Sequence, residues 1–252
     1  MNLIQDVEIH FMEQESTSRP VCLVTGGSSG IGLATAQLFA SQGYDISICG
    51  RRESKLNEAK KLIRIANSEV ECLALQSNLT DVRQARSVAE QTIERFGRVD
   101  VLVNNAATSP LSAFHEITEE TFEAAINTNI RSLFYVTQIV WKQMLEQGGG
   151  VVVNISSLSA VDPFPGFSLY GACKAWMDLM THALAGEGKE TGLRVCSIRP
   201  GAVETPMLRG LFPDFPAEQC VQPADIAEAV WGCVDDEENF PSGMAFEVTK
   251  QP

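Results

Sequence analysis

From residue 21 onward the sequence alternates short β-branched runs with amphipathic stretches of helical length, and this alternation constrains the fold most strongly. Strands joined by helix-length crossovers run parallel, and the helices then cover both faces of the sheet. The pattern therefore predicts a single-domain, doubly wound α/β fold. The predicted strands are Val21–Thr25, Tyr44–Cys49, Val70–Gln76, Val99–Val103, Val151–Ile155, Leu193–Ile198 and Met244–Val248. The predicted helices are Ile31–Gln42, Glu53–Ala66, Thr80–Phe96, a long region after Thr118, Ser168–Glu187 and one that starts at Pro223.

A glycine-rich turn, Thr25-Gly26-Gly27-Ser28-Ser29-Gly30-Ile31-Gly32, joins the first predicted strand to the first helix. Glycines let the backbone turn sharply there and let a pyrophosphate approach the free amides of the helix N-terminus. The spacing is GxxxGxG and differs from the GxGxxG fingerprint. In this context we interpret the turn as a phosphate-binding loop, although such a turn can also be purely structural.

The second predicted strand ends in Gly50-Arg51-Arg52, where doubly wound folds select their dinucleotide. A carboxylate at this point holds a ribose diol, whereas an arginine suits a 2′-phosphate. Glu53 comes too late to take the place of that carboxylate. The residues favour NADPH over NADH, and the alternative is that the two arginines are solvated at a helix start.

Tyr170 and Lys174 are four residues apart on a predicted helix, so they lie on one face of it. A phenol has a pKa near 10, and an ammonium about 4–5 Å away in a semi-dry site could lower it by roughly 2–3 units. We therefore expect Lys174 to acidify Tyr170 for general acid/base catalysis.

Further polar residues follow the predicted strands at the edge where such sheets bind ligands. Ser156-Ser157 follows the fifth strand, and Asn104-Asn105-Ala106-Ala107 follows the fourth. Asn129 lies in an otherwise apolar helix, where a buried amide needs partners, and we interpret it as a water-holding residue. Arg199-Pro200-Gly201, then Val203 and Thr205, follow the sixth strand. The apolar, proline-broken segment 204–222 beyond them predicts a substrate lid.

The charge and residue composition indicate which kinds of binding partner and which compartment to expect. Nineteen basic residues against 32 acidic ones give a net charge of −13, which argues against a nucleic-acid or anionic-membrane surface. The seven cysteines are scattered without CxxC pairs, so we expect a reduced, cytoplasmic protein. The three histidines share no ligand spacing, and we assign no metal. No apolar run reaches the length of a transmembrane helix.

Two regions concern assembly and the start of the chain. The stretch 133–145 is apolar on more than one helical face, which favours burial against a second subunit over burial within one chain. Residues 1–20 are acidic and lack the basic and apolar regions of a signal peptide, so we expect a loosely ordered arm.

The motifs from Thr25 to Gly201 occur in the order and spacing of the short-chain dehydrogenase/reductase family, which the chain resembles from about Val21 to Val248. The resemblance implies a Rossmann-type, seven-stranded sheet and a bound nicotinamide dinucleotide. It also implies a small-molecule carbonyl or alcohol substrate and a homodimer or homotetramer. It assigns the cofactor contacts to Gly26, Ser28, Ser29, Gly30, Ile31, Gly32, Arg51, Arg52, Asn78, Leu79, Asn105, Ala106, Ala107, Tyr170, Lys174, Pro200, Gly201, Val203 and Thr205.

The catalytic tetrad that the resemblance implies is Asn129, Ser157, Tyr170 and Lys174. In such enzymes the tyrosine exchanges a proton with the substrate oxygen and the serine hydrogen-bonds that oxygen. The lysine holds the nicotinamide ribose and lowers the tyrosine pKa, and the asparagine positions a proton-relay water.

Some positions depart from the family pattern. Ala107 replaces the usual glycine, which crowds the ribose, and Asn78 replaces the usual acid beside the adenine. Ser29 stands where NADP-preferring relatives often carry a basic residue, which weakens the NADPH interpretation. Phe246-Glu247-Val248-Thr249 lacks the common Asp-Gly-Gly, which leaves the intersubunit contacts there open.

The sequence thus favours an NADP(H)-dependent oxidoreductase that interconverts a carbonyl and a secondary alcohol, acting mainly as a reductase. The same chemistry with NAD(H) is one alternative, and a non-catalytic dinucleotide-binding sensor or scaffold is another. An epimerase or dehydratase of the longer related branch fits poorly, because little chain follows Pro200.

Overall fold

The computed structural model describes residues 19–250, and these form one seven-stranded parallel sheet. The strand order is β3-β2-β1-β4-β5-β6-β7, so the chain reverses direction across the sheet between β1 and β4. The strands are β1 Val21–Thr25, β2 Asp45–Gly50, β3 Cys72–Gln76, β4 Val101–Asn104, β5 Gly150–Ile155, β6 Leu193–Pro200 and β7 Ala245–Val248. All seven predicted strands are confirmed, with ends that shift by one or two residues.

The helices cover both faces of this sheet, as the doubly wound prediction requires. They are α1 Gly30–Ser41, α2 Glu53–Ala66, α3 Val82–Phe96, α4 Glu119–Ile126, α5 Ser132–Gln147, α6 Ser168–Gly188, α7 Pro206–Leu211 and α8 Pro223–Asp235. A single π-helical turn, Asn127–Arg131, joins α4 to α5. The sequence did not predict α7, a short helix inside the lid segment, because three nearby prolines obscure its periodicity.

Local signals set most helix ends. Thr118 caps α4 by accepting a hydrogen bond from the backbone N–H of Thr121, as predicted. The predicted cap of α3 is wrong, because the side chain of Asp81, not Thr80, accepts from the N–H of Arg83. Pro223 occupies the first turn of α8, where its missing N–H costs nothing.

Two apolar cores pack against the two faces of the sheet. On one face Phe39 of α1 lies edge-on to Trp231 of α8 with ring centroids 5.2 Å apart, and α2 adds Leu56 and Ile63. On the other face α3 and α5 contribute Val88 and Val140. Because both faces are filled, the carboxyl edge of the sheet is where the fold leaves polar groups for a ligand.

The described part of the chain begins just before β1. The carbonyl oxygen of Pro20 accepts a hydrogen bond from the N–H of Asp45, so the sheet network begins there. The rest of the predicted N-terminal arm, residues 1–18, lies outside the described residues. Between residues 19 and 250, no helix has both the length and the apolar content to cross a membrane.

Candidate active site

The glycine turn after β1 has the backbone that its sequence predicts. Gly26 and Gly30 have φ values of +69° and +55°, a region that residues with a side chain rarely enter. At Gly32 there is no room for a side chain, because a Cβ would overlap Nδ2 of Asn105 and lie 2.6 Å from the carbonyl oxygen of Gly26. The turn and the start of α1 are therefore packed around Asn105.

Asn105 and Thr25 lock the turn to the loop after β4. The Nδ2 of Asn105 donates to the carbonyl oxygens of Thr25 at 2.9 Å and Gly26 at 3.2 Å. In return, Oγ1 of Thr25 accepts from the N–H groups of Asn105 at 3.0 Å and Ala106 at 3.1 Å. The side-chain amide of Asn105 thus holds the glycine turn in place. Ala106 and Ala107 follow it along the edge of the site.

The N-terminus of α1 suits an anion. Ser29 is its N-cap, and among the described residues its side chain makes no capping hydrogen bond. The first turn of α1 carries no acidic side chain. Free amides at a helix start with no carboxylate nearby favour a phosphate.

An open depression of about 390 Å³ lies at the ends of β2 and β3, one step along the edge from the glycine turn. Its lining includes two residues predicted from the sequence, Arg51 and Asn78. It also includes residues that were not predicted, namely Gln76, Ser77 and Gln84. Three amides and a guanidinium can offer hydrogen bonds to a purine and charge to a phosphate.

Gln84 shapes this depression from the first turn of α3. Its Oε1 accepts a 2.8 Å hydrogen bond from the N–H of Asn78, and its carbonyl oxygen accepts from Oγ of Ser77. The side chain of Asn78 accepts from the N–H of Thr80 at 3.3 Å. No sequence pattern distinguishes Gln84 from the other polar residues of α3. Leu79, a predicted cofactor contact, is 7% exposed and packs in the core.

Tyr170 and Ser157 meet at the carboxyl edge, thirteen positions apart in the sequence. The side chain of Ser157 lies close enough to the phenol of Tyr170 to act on its pKa, and Oγ of Ser157 accepts from the N–H of Ser159 at 3.1 Å. Burial raises the pKa of Tyr170 to about 12, although the neighbouring Ser157 hydroxyl opposes that rise. This direction is opposite to the acidification expected from the sequence, because burial outweighs the other effects.

Lys174 shares the helix face with Tyr170, as predicted, but bonds elsewhere. It is 1% exposed, and its Nζ donates to the carbonyl oxygen of Ile155 at 2.6 Å. The same Nζ lies 5.6 Å from the centroid of the Tyr170 ring. Burial lowers the pKa of Lys174 to about 8, against the attraction of Cys173 and Asp178. The ammonium therefore lies beneath the ring of Tyr170, held to the last residue of β5.

Asn129 lies in the π-helical turn and is 1% exposed. Its Oδ1 accepts from the N–H of Thr108 and its Nδ2 donates to the carbonyl oxygen of Thr108, both at 2.9 Å. The asparagine thus fixes the loop after β4. One N–H and one oxygen lone pair of its amide take no part in these two bonds, so the water-holding role stays a prediction.

The loop after β6 closes over the glycine turn. A Cβ on Gly30 would lie 3.1 Å from Cγ2 of Thr205, so this side chain lies directly above the turn. Gly201 donates its N–H to Val248 at 3.0 Å, and Val203 pairs with Val221 in an isolated bridge. The predicted contacts Pro200, Gly201, Val203 and Thr205 are thus held in one segment at the edge.

The residues present fit a nicotinamide dinucleotide. The free helix N-terminus, the depression at Arg51 and the Ser157–Tyr170 pair lie after β1, β2 and β5, along one edge of the sheet. A family profile described as "short chain dehydrogenase" matches residues 20–215. The chain belongs to the short-chain dehydrogenase family.

Comparisons with individual proteins agree with this membership. The chain is 33% identical over 236 residues to the 3-oxoacyl-[acyl-carrier-protein] reductase of Thermotoga maritima, covering 90% of this chain and 95% of that one. A variant of actinorhodin polyketide ketoreductase, solved with NADPH, is 32% identical with a TM-score of 0.85, covering 92% and 96%. The 3-ketoacyl-(acyl-carrier-protein) reductase of Brucella melitensis, solved with NADH, is 27% identical with a TM-score of 0.81, covering 91% and 96%. This short-chain dehydrogenase is an oxidoreductase acting on CH–OH or C=O groups.

Proposed function

We propose that the chain reduces a small-molecule carbonyl to a secondary alcohol with NADPH, using Tyr170 as the proton donor. The observation that carries this proposal is that Ser157, Tyr170 and the buried Lys174 lie together at the carboxyl edge of the sheet. A phenol whose pKa is about 12 keeps its proton at neutral pH, so Tyr170 has a proton to give to a carbonyl oxygen.

Each residue of the proposed tetrad has a part in this proton transfer. The hydroxyl of Ser157 would hydrogen-bond the substrate oxygen, and Tyr170 would donate its proton to that oxygen. The buried charge of Lys174 below the ring stabilises the phenolate that results. Asn129 contributes by holding Thr108 and the loop after β4 in place. The bound nicotinamide cofactor supplies the hydride.

NADPH as the preferred cofactor rests on Arg51. Its exposed side chain lines the depression beside Asn78, where the 2′ position of an adenosine ribose would be read. An arginine offers a phosphate several charge-assisted hydrogen bonds. The chain places no carboxylate between Cys49 and Arg52, where an acid would hold the ribose diol.

The lid and the assembly are part of the proposal. Residues 204–222 would cover the substrate, and Arg209 ties this segment together through Glu204 and the carbonyl oxygens of Pro213 and Phe215. Helices α4 and α5 expose more than 40% of three large apolar side chains, Phe122, Phe134 and Leu145. Burial of this apolar surface against a second subunit favours a homodimer or homotetramer. The seven cysteines are buried and free, which suits a reducing compartment such as the cytoplasm.

The test is to assay the purified protein with NADPH and with NADH against a panel of ketones, and to measure the binding of both cofactors in parallel. With at least one ketone, we expect the protein to oxidise NADPH faster than NADH. Tight cofactor binding without turnover on any ketone or alcohol would favour the sensor or scaffold instead, and faster turnover with NADH would contradict the proposed cofactor.

A further inference from the structure

Three phenylalanine rings form one contact cluster with the ring of Tyr170. Phe167 lies 5.5 Å from Tyr170, centroid to centroid, and Phe164 lies 4.6 Å from Phe167. Phe212 of the lid completes the cluster at 6.2 Å from Phe167 and 6.3 Å from Phe164. We name these three phenylalanines the aromatic wall. It connects the loop before α6 to the lid and ends at the side chain proposed to donate the proton.

The aromatic wall opens to solvent on one side. Phe167 is 5% exposed and forms its base, whereas Phe164 is 51% exposed. Unlike a buried core cluster, this arrangement leaves the ring of Phe164 in water, joined through Phe167 to the ring of Tyr170. Exposed apolar surface of this kind, adjoining polar groups, is typical of a ligand site.

The loop after β4 extends the apolar surface. The N–H of Ser112 donates to the carbonyl oxygen of Gly166 at 3.0 Å, and the side chain of Leu111 lies over the Cα of Gly166. Leu111 is 41% exposed, and Met207 on the lid is 43% exposed. The loops that follow β4, β5 and β6 therefore all carry exposed apolar side chains at the carboxyl edge of the sheet.

The charges of these loops exclude one kind of substrate. Residues 105–118, 156–168 and 201–222 carry one arginine, Arg209, and five acidic residues, Glu116, Asp162, Glu204, Asp214 and Glu218. The guanidinium of Arg209 is engaged by Glu204 and by two backbone carbonyls. A substrate that carries phosphates would meet net negative charge here and would find this arginine already bonded.

We propose that the substrate is an uncharged, hydrophobic ketone whose carbonyl belongs to or adjoins a ring, with that ring packed against Phe164 of the aromatic wall. This inference rests on the proposed function. Aromatic rings pack face to edge or offset, so the exposed ring of Phe164 offers a surface for one more ring. A rigid ring also loses fewer rotamers on binding than an alkyl chain of equal carbon number. In the reaction the carbonyl carbon gains a hydride from NADPH, and its oxygen gains the proton of Tyr170 as the C=O π bond breaks.

Three probes separate the substrate classes. We would measure kcat/KM with 2-tetralone, with 2-decanone, which has the same number of carbons in a linear chain, and with acetoacetyl-CoA, which carries phosphates. Each is assayed with NADPH and with NADH. The expected result is a preference for 2-tetralone of about tenfold or more over both others, the size of one good ring contact.

Phe164→Ala tests the position of the ring. Because Phe164 is half exposed, we expect the variant to keep the melting temperature of the parent within a few degrees. It should lose about tenfold in kcat/KM for 2-tetralone, mainly through KM, and less than about twofold for 2-decanone. Ile65→Ala, which removes a 78% exposed apolar side chain from α2, is the matched control and should change neither value.

The outcomes distinguish the two proposals. Higher efficiency with acetoacetyl-CoA or with 2-decanone, or equal losses for both ketones in Phe164→Ala, would overturn the ring-ketone substrate and leave the reductase standing. A lack of turnover with all three probes and both cofactors would overturn the reductase and this inference together.

Discussion

The Nζ of Lys174 donates a 2.6 Å hydrogen bond to the carbonyl oxygen of Ile155, the last residue of β5. This bond fixes the buried ammonium beside the ring of Tyr170, 5.6 Å from its centroid. It also couples the proposed proton donor on α6 to the end of the strand that leads to Ser157. The strand end and the helix therefore position the lysine, the tyrosine and the serine as one unit.

The buried ammonium predicts a pH dependence of stability. The pKa of Lys174 falls from its ordinary 10.5 to about 8 on folding, so the unfolded chain binds the additional proton between these values. Stability relative to Lys174→Met should therefore rise with pH through this window, and be lost as pH falls through about 8. Denaturant unfolding of both proteins at pH 7 and pH 9.5 should show a relative gain of about 2 kcal/mol for the parent. A flat difference would contradict the lowered pKa.

Asn129→Ala should destabilise the protein by about 2–4 kcal/mol, because it leaves the partly buried N–H and carbonyl of Thr108 without their partner. Hydrogen exchange should increase at Thr108 and its neighbours. Asn127→Ala is the matched control from the same π turn, since its side chain bonds only the exposed Arg131 in the described contacts. Equal effects of the two substitutions would refute a special role of Asn129 in holding the loop.

Gly32→Ala should abolish dinucleotide binding or folding, since the added methyl would overlap Asn105 and crowd Gly26. Gly186→Ala in α6 provides the control, because its Cβ would meet open space. That change should raise the free energy of unfolding by about 0.5–1 kcal/mol through helix propensity. Fluorescence titration with NADPH and thermal unfolding measure both effects. Normal NADPH affinity in Gly32→Ala would contradict the packing of the turn around Asn105.

Arg51→Ala should raise the KM for NADPH by about 10- to 100-fold while changing that for NADH by less than about threefold, because only NADPH carries the 2′-phosphate. Arg52→Ala should have a smaller effect, since Arg51 and not Arg52 lines the depression. Arg64→Ala, at the far end of α2, serves as the control for loss of charge. If Arg51→Ala affects both cofactors equally, the arginine does not read the 2′ position.

Much of the fold follows from sequence signals that act locally. The β-branched runs, the glycine turn and caps such as Thr118 set their own elements, because each depends on neighbouring residues. Tyr170 and Ser157 could be placed together because both follow β5 within a short stretch, at the edge where such sheets bind ligands. Where a competing local signal existed, as for Asp81 against Thr80, the choice between them was wrong.

Long-range contacts account for what the sequence did not predict. The hydrogen bond of Lys174 to Ile155, the pairing of Asn129 with Thr108 and the support of Asn78 by Gln84 each join separate elements. The raised pKa of Tyr170 depends on how deeply the folded chain buries the phenol, which spacing along a helix does not reveal. The aromatic wall depends likewise on Phe212, which lies 42 positions after Tyr170 in the sequence.

The most direct test of the account is the rate of NADPH oxidation by Tyr170→Phe at saturating NADPH with a ketone that the parent protein reduces. Phenylalanine keeps the ring that packs on Phe167 and removes only the hydroxyl that would donate the proton. We expect kcat to fall by about 10²- to 10⁴-fold while the Kd for NADPH stays within about threefold. An undiminished kcat in this variant would contradict the assignment of Tyr170 as the proton donor.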